Sequence, residues 1–241
     1  MVNALNRFKI VHGDVAELLR ENVWLYKNTT THLMEHYVVG NDDKIIKVGE
    51  YKEVILINKE LNRIVLSNKG SEDRVVSYYG KPIYENNSGE SNIELNGIVF
   101  NRYMLLSNIK ESKLVDILDG SVFFYRDNCM NIKPIRLEVK GREVKGFEVY
   151  KWYTSYKEYS LIYKDEIRNV GSGKRIGIAD NKYIIVFTED SIGIAYDLSG
   201  VIVGDYSKSE EDANRNGSME HQGIIKIENY ILDVTCKIVS M

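Results

Sequence analysis

Arg175-Ile-Gly-Ile-Ala179, Tyr183-Ile-Ile-Val-Phe187, Ile192-Gly-Ile-Ala-Tyr196 and Val201-Ile-Val203 follow one another between Lys174 and Tyr206, parted by Asp180-Asn-Lys182, Thr188-Glu-Asp-Ser191 and Asp197-Leu-Ser-Gly200. Apolar runs of strand length separated by short polar turns predict an antiparallel meander, because short connections allow only antiparallel neighbours.

Working outward, the same texture fills most of the chain. Glu53 to Asn58, Asn62 to Ser67 and Arg74 to Tyr79 read as strands rich in β-branched and aromatic residues. Lys113 to Leu118 and Ser121 to Tyr125 are joined by Asp119-Gly120, a hairpin signal because Gly accepts a positive φ cheaply. Gly97 to Leu106, Phe147 to Tyr163 and Gly223 to Val239 read as three long apolar stretches. The last is expected to pair with an early strand such as Arg7 to Val11, since a terminal edge this apolar must be covered. One short N-terminal helix is expected where Asp14 can cap Val15 to Arg20, with Val15, Leu18 and Leu19 on one face. The polar run from Ser207 to Gln222 reads as a long exposed loop. Only two prolines, Pro82 and Pro134, interrupt a backbone largely committed to ladders. The expected class is therefore all-β, in one domain over residues 1–241.

Tyr196-Asp197, followed by the turn Leu198-Ser199-Gly200, resembles the Trp-Asp end of a blade in the WD-repeat family. That resemblance implies a β-propeller-like arrangement of four-stranded meanders, and meanders starting near Lys44, Gly97 and Lys174 are compatible with a blade period. A β-sandwich or an irregular barrel fits the same strands.

Bulk properties narrow the function. Of 241 residues, 44% are hydrophobic and 28% charged, the balance of an ordinary globular chain, which excludes a disordered or fibrous one. The formal charge of -3 supplies no field toward phosphate, so nucleic acid is not the expected partner. No apolar run approaches bilayer length, so no membrane association and a cytoplasmic location are expected. Cys129 and Cys236 are expected to be buried free thiols.

His32-Leu-Met-Glu-His36 matches the spacing H-x-x-E-H. On a helix His32 and His36 would share a face and bind zinc, with Glu35 activating a metal-bound water. Thr31 to His36 resembles the corresponding stretch of the insulinase-type peptidases, which implies a downstream glutamate as third ligand and makes Glu111 the candidate. The flanks Asn28-Thr-Thr-Thr31 and Tyr37-Val-Val39 are β-branched and read instead as strand. Gly171-Ser-Gly173-Lys174-Arg175 lacks the first glycine and the Ser or Thr of a phosphate loop and reads as an ordinary turn. Taken as one strand, Phe147 to Tyr163 puts Tyr150, Trp152 and Tyr156 on one face and Phe147, Tyr153 and Tyr159 on the other, a candidate surface for a protein or small ligand. The reading this supports is a non-enzymatic interaction module with a protein partner and no cofactor. The alternative is a zinc-dependent hydrolase centred on the His32 to His36 motif.

Overall fold

The computed structural model describes residues 17–20, 22–40, 42, 44–68, 72–87, 93–108, 111–125, 129–151, 154–209 and 219–239. The chain divides into two compact units, residues 1–125 and 126–241. All regular structure among the described residues is antiparallel β. None of it is a helix long and apolar enough to cross a membrane.

The first unit holds three four-stranded sheets, each in chain order. They comprise β1 (Glu17–Arg20), β2 (Val23–Lys27), β3 (Met34–Val39) and β4 (Ile45–Tyr51); β5 (Glu53–Asn58), β6 (Arg63–Ser67), β7 (Glu72–Ser77) and β8 (Pro82–Asn87); and β9 (Glu94–Val99), β10 (Tyr103–Ser107), β11 (Ser112–Asp116) and β12 (Val122–Tyr125). The second unit holds a fourth such sheet, β13 (Cys129–Val139), β14 (Arg142–Lys151), β15 (Lys157–Tyr163) and β16 (Glu166–Gly173). It continues into β17 (Arg175–Ala179), β18 (Tyr183–Phe187), β19 (Ile192–Tyr196), β20 (Ile202–Lys208), β21 (Glu220–Ile227) and β22 (Tyr230–Ile238). A four-stranded meander is the repeating unit of propeller architectures, and β1 to β16 supply it four times. The blade-like stretch β17 to β20 forms its meander as the sequence implies, and β21 and β22 then extend it and close on β17 as a barrel.

Why these residues form these sheets is clearest at the hairpin tips. Phe100-Asn101, Lys140-Gly141, Lys164-Asp165 and Asp180-Asn181 have positive φ at both central residues, the geometry whose twist matches that of paired strands. The tips also explain three corrections. Gly97 to Leu106 is not one strand but β9 turning at Phe100-Asn101 into β10. Phe147 to Tyr163 is split between β14 and β15, with Tyr150 opposite Lys157. Gly223 to Val239 is the hairpin β21–β22, whose second strand pairs with β21 and β17; Arg7 to Val11 lies outside the described residues.

The expected N-terminal helix is also corrected. Glu17–Arg20 is strand β1, with Leu18 opposite Trp24. Leu18 is exposed while Leu19 is buried, the alternation of a strand. A single helical turn cannot meet its nucleation cost, whereas a short link to β2 provides ladder bonds at once. The polar loop is shorter than expected, since β20 runs to Lys208 and β21 begins at Glu220, and its centre lies outside the described residues. Gly171 to Gly173 is the end of β16 rather than a turn. Pro82 opens β8 and Pro134 lies on β13, an edge strand, both places where a missing N–H is tolerated.

Cores lie between successive layers. In the first unit, Leu19, Val23 and Leu25 pack against Ile64, Leu66 and Tyr78, while Val65 and Val75 face Met104, Leu106 and Val115. In the second, Ile135, Leu137, Tyr159 and Leu161 of the fourth sheet cover Ile176, Ile184 and Val186. The barrel interior holds Ile185, Phe187, Tyr206, Ile225 and Cys236.

The closing seam is three residue pairs long, Gly177 with Ile238, Ile178 with Lys237 and Ala179 with Cys236. A Cβ on Gly177 would lie 3.0 Å from both the Lys237 carbonyl and the Phe187 ring, and 3.1 Å from the Cys236 sulfur. Gly177→Val is therefore expected to lower stability by about 1–3 kcal/mol through overpacking, measured by urea denaturation; an unchanged midpoint would refute a seam this tight.

Candidate functional site

The structure disperses the H-x-x-E-H motif. His32 is exposed in the turn between β2 and β3, with φ at 60°. That turn is built by Asn28, whose Oδ1 accepts from the Thr30 and Thr31 amides at 2.9 and 3.0 Å. Glu35 and His36 follow on β3, and neighbouring strand residues point to opposite faces. Both are buried.

Glu35 accepts from the Tyr37 hydroxyl at 2.5 Å, Asn28 Nδ2 at 3.1 Å and Lys47 Nζ at 3.0 Å. Burial alone would raise its pKa, but these donors together hold the carboxyl below its ordinary range. The Tyr37 phenol is pushed up by burial and by its bond to that carboxylate. On the other face His36 Nε2 sits 2.6 Å from the Tyr78 carbonyl, so the ring donates there. Its Nδ1 is buried without a partner. Burial lowers the imidazole pKa by more than the Tyr78 bond raises it.

Glu111 precedes β11, where it exchanges bonds with Asn108 and lies 3.8 Å from Lys113 Nζ. Among the described residues no three His, Cys, Asp or Glu side chains gather as a metal ligand set. His32, Glu35, His36 and Glu111 are thus not brought together, because spacing of four aligns residues on a helix and this segment is a strand.

The aromatic stretch is rearranged too. The Tyr150 ring has the ammonium groups of Lys133 and Lys157 each 4.5 Å from its centroid, which engages the ring within the fold. Lys157 also lies 3.0 Å from the carboxylate of buried Glu148. Burial would lower the Lys157 pKa, but bonds to Tyr150 and Glu148 raise it overall. Tyr156 is exposed beyond the strand end, and Trp152 and Tyr153 lie outside the described residues.

Register brings together one pair with no sequence signal, His221 opposite Cys236 across β21 and β22. Phe187 and Tyr206 rings lie 5.8 and 6.2 Å from the His221 ring inside the barrel. Cys236 is a free, buried thiol, as expected, and burial pushes its pKa up to about 12 against a smaller lowering by Tyr206, which leaves it unreactive. The Cys129 side chain lies outside the described residues.

An open cleft of about 480 Å³ lies in the second unit. Two rigid hairpin tips flank it, Lys140-Gly141 of β13–β14 and the β17–β18 tip bearing Asn181. Its apolar surface comes from Ile178, Ile238 and Val239, with Met219 before β21. The wall is held by backbone bonds: Asp180 N to Thr235 O at 2.9 Å, Ile238 N to Met219 O at 2.7 Å and Val239 N to Ile176 O at 3.0 Å. Glu138, Lys140 and Lys237 supply its charges, and none of the three enters an ion pair among the described residues. A pre-formed, partly apolar concavity of this volume falls within the range of ligand sites. Sequence reasoning missed it because its walls come from β13, β17 and β22, and no residue in it is chemically unusual.

No protein-family profile and no curated protein matches the chain. Solved structures similar to it include the WD40 domain of Toxoplasma gondii coronin, at 10% identity over 92% of this chain and 67% of that one, with a TM-score of 0.29. Sqt1 of Saccharomyces cerevisiae is similar at 9% identity over 91% of this chain and 92% of that one, TM-score 0.26. Oligogalacturonate lyase in complex with manganese is similar at 8% identity over 91% and 86%, also at TM-score 0.26.

The buried imidazole has a consequence for pH. An unfolded histidine titrates near about 6.5, and folded His36 lies lower, so the unfolded chain binds the extra proton. Its contribution to stability is present above that pH and is lost as pH falls through the unfolded value toward the folded one. The urea midpoint of the native chain should drop between about pH 7 and 5, and His36→Gln, which can still donate to the Tyr78 carbonyl, should flatten that slope. Equal slopes for the two would exclude the assignment.

Proposed function

We propose that this chain is a non-enzymatic binding module that grips a segment of a partner protein in the cleft between the β13–β14 and β17–β18 tips. The observation that carries the reading is the combination found there. Aliphatic surface is held open by pinned strands, beside two lysines and a glutamate that enter no ion pair among the described residues. A pre-organised concavity costs its partner little ordering entropy on binding. The free, buried Cys236 suits a reducing compartment such as the cytoplasm.

A photo-crosslinking residue placed at Lys140, and for comparison at exposed Glu189 on the distant β18–β19 turn, tests this in extracts of the native cell. Products specific to position 140 are expected, and Lys237→Trp, which fills the cleft from an exposed strand position, should reduce them at least about ten-fold, the loss expected when a central contact pocket is blocked. Identical products from both positions would sink the reading.

A further inference from the structure

We infer that the segment accepted by the cleft is acidic and aliphatic, presenting a carboxylate to Lys140 and Lys237 and branched side chains to Ile178 and Val239. This rests on the cleft being the binding site and adds the chemistry of its occupant.

The charges decide the sign. Five cations of the second unit are matched, Arg136 and Lys145 to Glu143, Lys157 to Glu148, Arg168 to Glu166 and Arg175 to Asp190, while others such as Lys174 and Lys226 have no ion pair among the described residues, so it is their place on a concavity that marks Lys140 and Lys237. At the cleft, Lys140 and Lys237 are exposed and have no counter-charge among the described residues, and they arrive from different elements, the β13–β14 tip and β22. Two lysines lining one concavity favour a carboxylate over an ammonium. The single acidic side chain, Glu138, lies at the β13 end, where its register partner Glu143 is already engaged by Arg136. Glu138 therefore repels a second acid beyond that end and gives the segment a direction.

The floor decides the class. Among the described lining residues, Ile178 and Val239 offer aliphatic contact but there is no ring on which a base or sugar could stack, and Glu138 opposes a run of phosphates. The volume of about 480 Å³ takes a few side chains, not a folded element. The tips Lys140-Gly141 and Asp180-Asn181 are both held in tight left-handed turns, so the walls are set before the segment arrives.

Three capped nonapeptides test this on the whole chain: one alternating leucine with aspartate, one alternating leucine with lysine, and one alternating serine with aspartate. Affinity and the amide shifts of Gly141, Asn181 and Val239 are followed by NMR at about 50 and 300 mM salt, which brackets the Debye screening of exposed charges. The leucine–aspartate peptide should bind at least about ten-fold tighter than the other two, with the advantage shrinking at high salt, as charge-based selection does. Joint Lys140→Glu and Lys237→Glu substitution, at exposed positions and with folding checked by circular dichroism, should transfer the preference to the leucine–lysine peptide. If another peptide binds equally well and moves the same amides, the acidic–aliphatic assignment is wrong while the cleft survives as a binding site. If no peptide moves those amides, both readings fall.

Discussion

Everything in the second unit depends on the alternation of β18. Ile184 and Val186 leave one face of that strand to meet the fourth sheet, while Ile185 and Phe187 leave the other to fill the barrel. All five residues from Tyr183 to Phe187 are buried. A shift of pairing by one residue would exchange the two sets, so register and packing are one constraint. The passage from β16 to β17 tightens it further. Lys174 N donates to Phe187 O at 2.7 Å, and a Cβ on Gly173 would stand 2.4 Å from that same oxygen. The fourth sheet packs on one face of β18 and the barrel core on the other, so the β13–β14 and β17–β18 tips are carried by elements that share this strand as a wall.

The first unit uses the same device at β6, where Ile64 and Leu66 serve one core and Val65 the other. Arg63, at the start of β6, then ties the second sheet to the third. Its guanidinium donates to the carbonyls of Ile117 at 3.1 Å and Leu118 at 2.6 Å, filling the turn that leads to β12. A charged group with five donors is well matched to a turn rich in unpaired carbonyls. In the third sheet, Arg102 grips Asp116 at 2.8 Å while the same carboxylate accepts the Leu118 amide at 2.9 Å. Polar contacts at the tips and apolar alternation in the middle thus fix the same register twice.

Much of this was legible in the amino-acid sequence, and the reasons it failed are physical. The ranges of β17, β18 and β19 coincide with the apolar runs because polar turn residues bound each of them. The β9–β10 turn was hidden because Phe100, an apolar residue, occupies a left-handed position at 53°. The β14–β15 split was hidden by aromatics on both strands. The zinc reading failed at the step from spacing to face, since four residues mean one face on a helix, while on β3 Glu35 and His36 diverge. Tyr150 was named as a candidate contact residue, but its neighbours Lys133 and Lys157 come from β13 and β15, and only pairing could bring them to it. Recognition of the cleft requires knowing that β22 closes on β17, a pairing across more than fifty intervening residues that no local pattern encodes.

The residues that look most like a site are thus the ones the fold consumes, and those that line the proposed cleft look ordinary. Physical chemistry accounts for both. Glu35 and His36 are inside, where an unpaired carboxylate is expensive, so Glu35 recruits Tyr37, Asn28 and Lys47, and its oxygens are engaged within the fold. Glu138, Lys140 and Lys237 lie at the surface, where an ion pair contributes only about 0–1 kcal/mol. Leaving these three charges without an ion pair among the described residues therefore costs the chain little, and under the proposed function a partner that covered them would be selected by their sign. A fold held by alternating apolar faces can tolerate such a surface, because little of its stability is drawn from the exposed Glu138, Lys140 and Lys237.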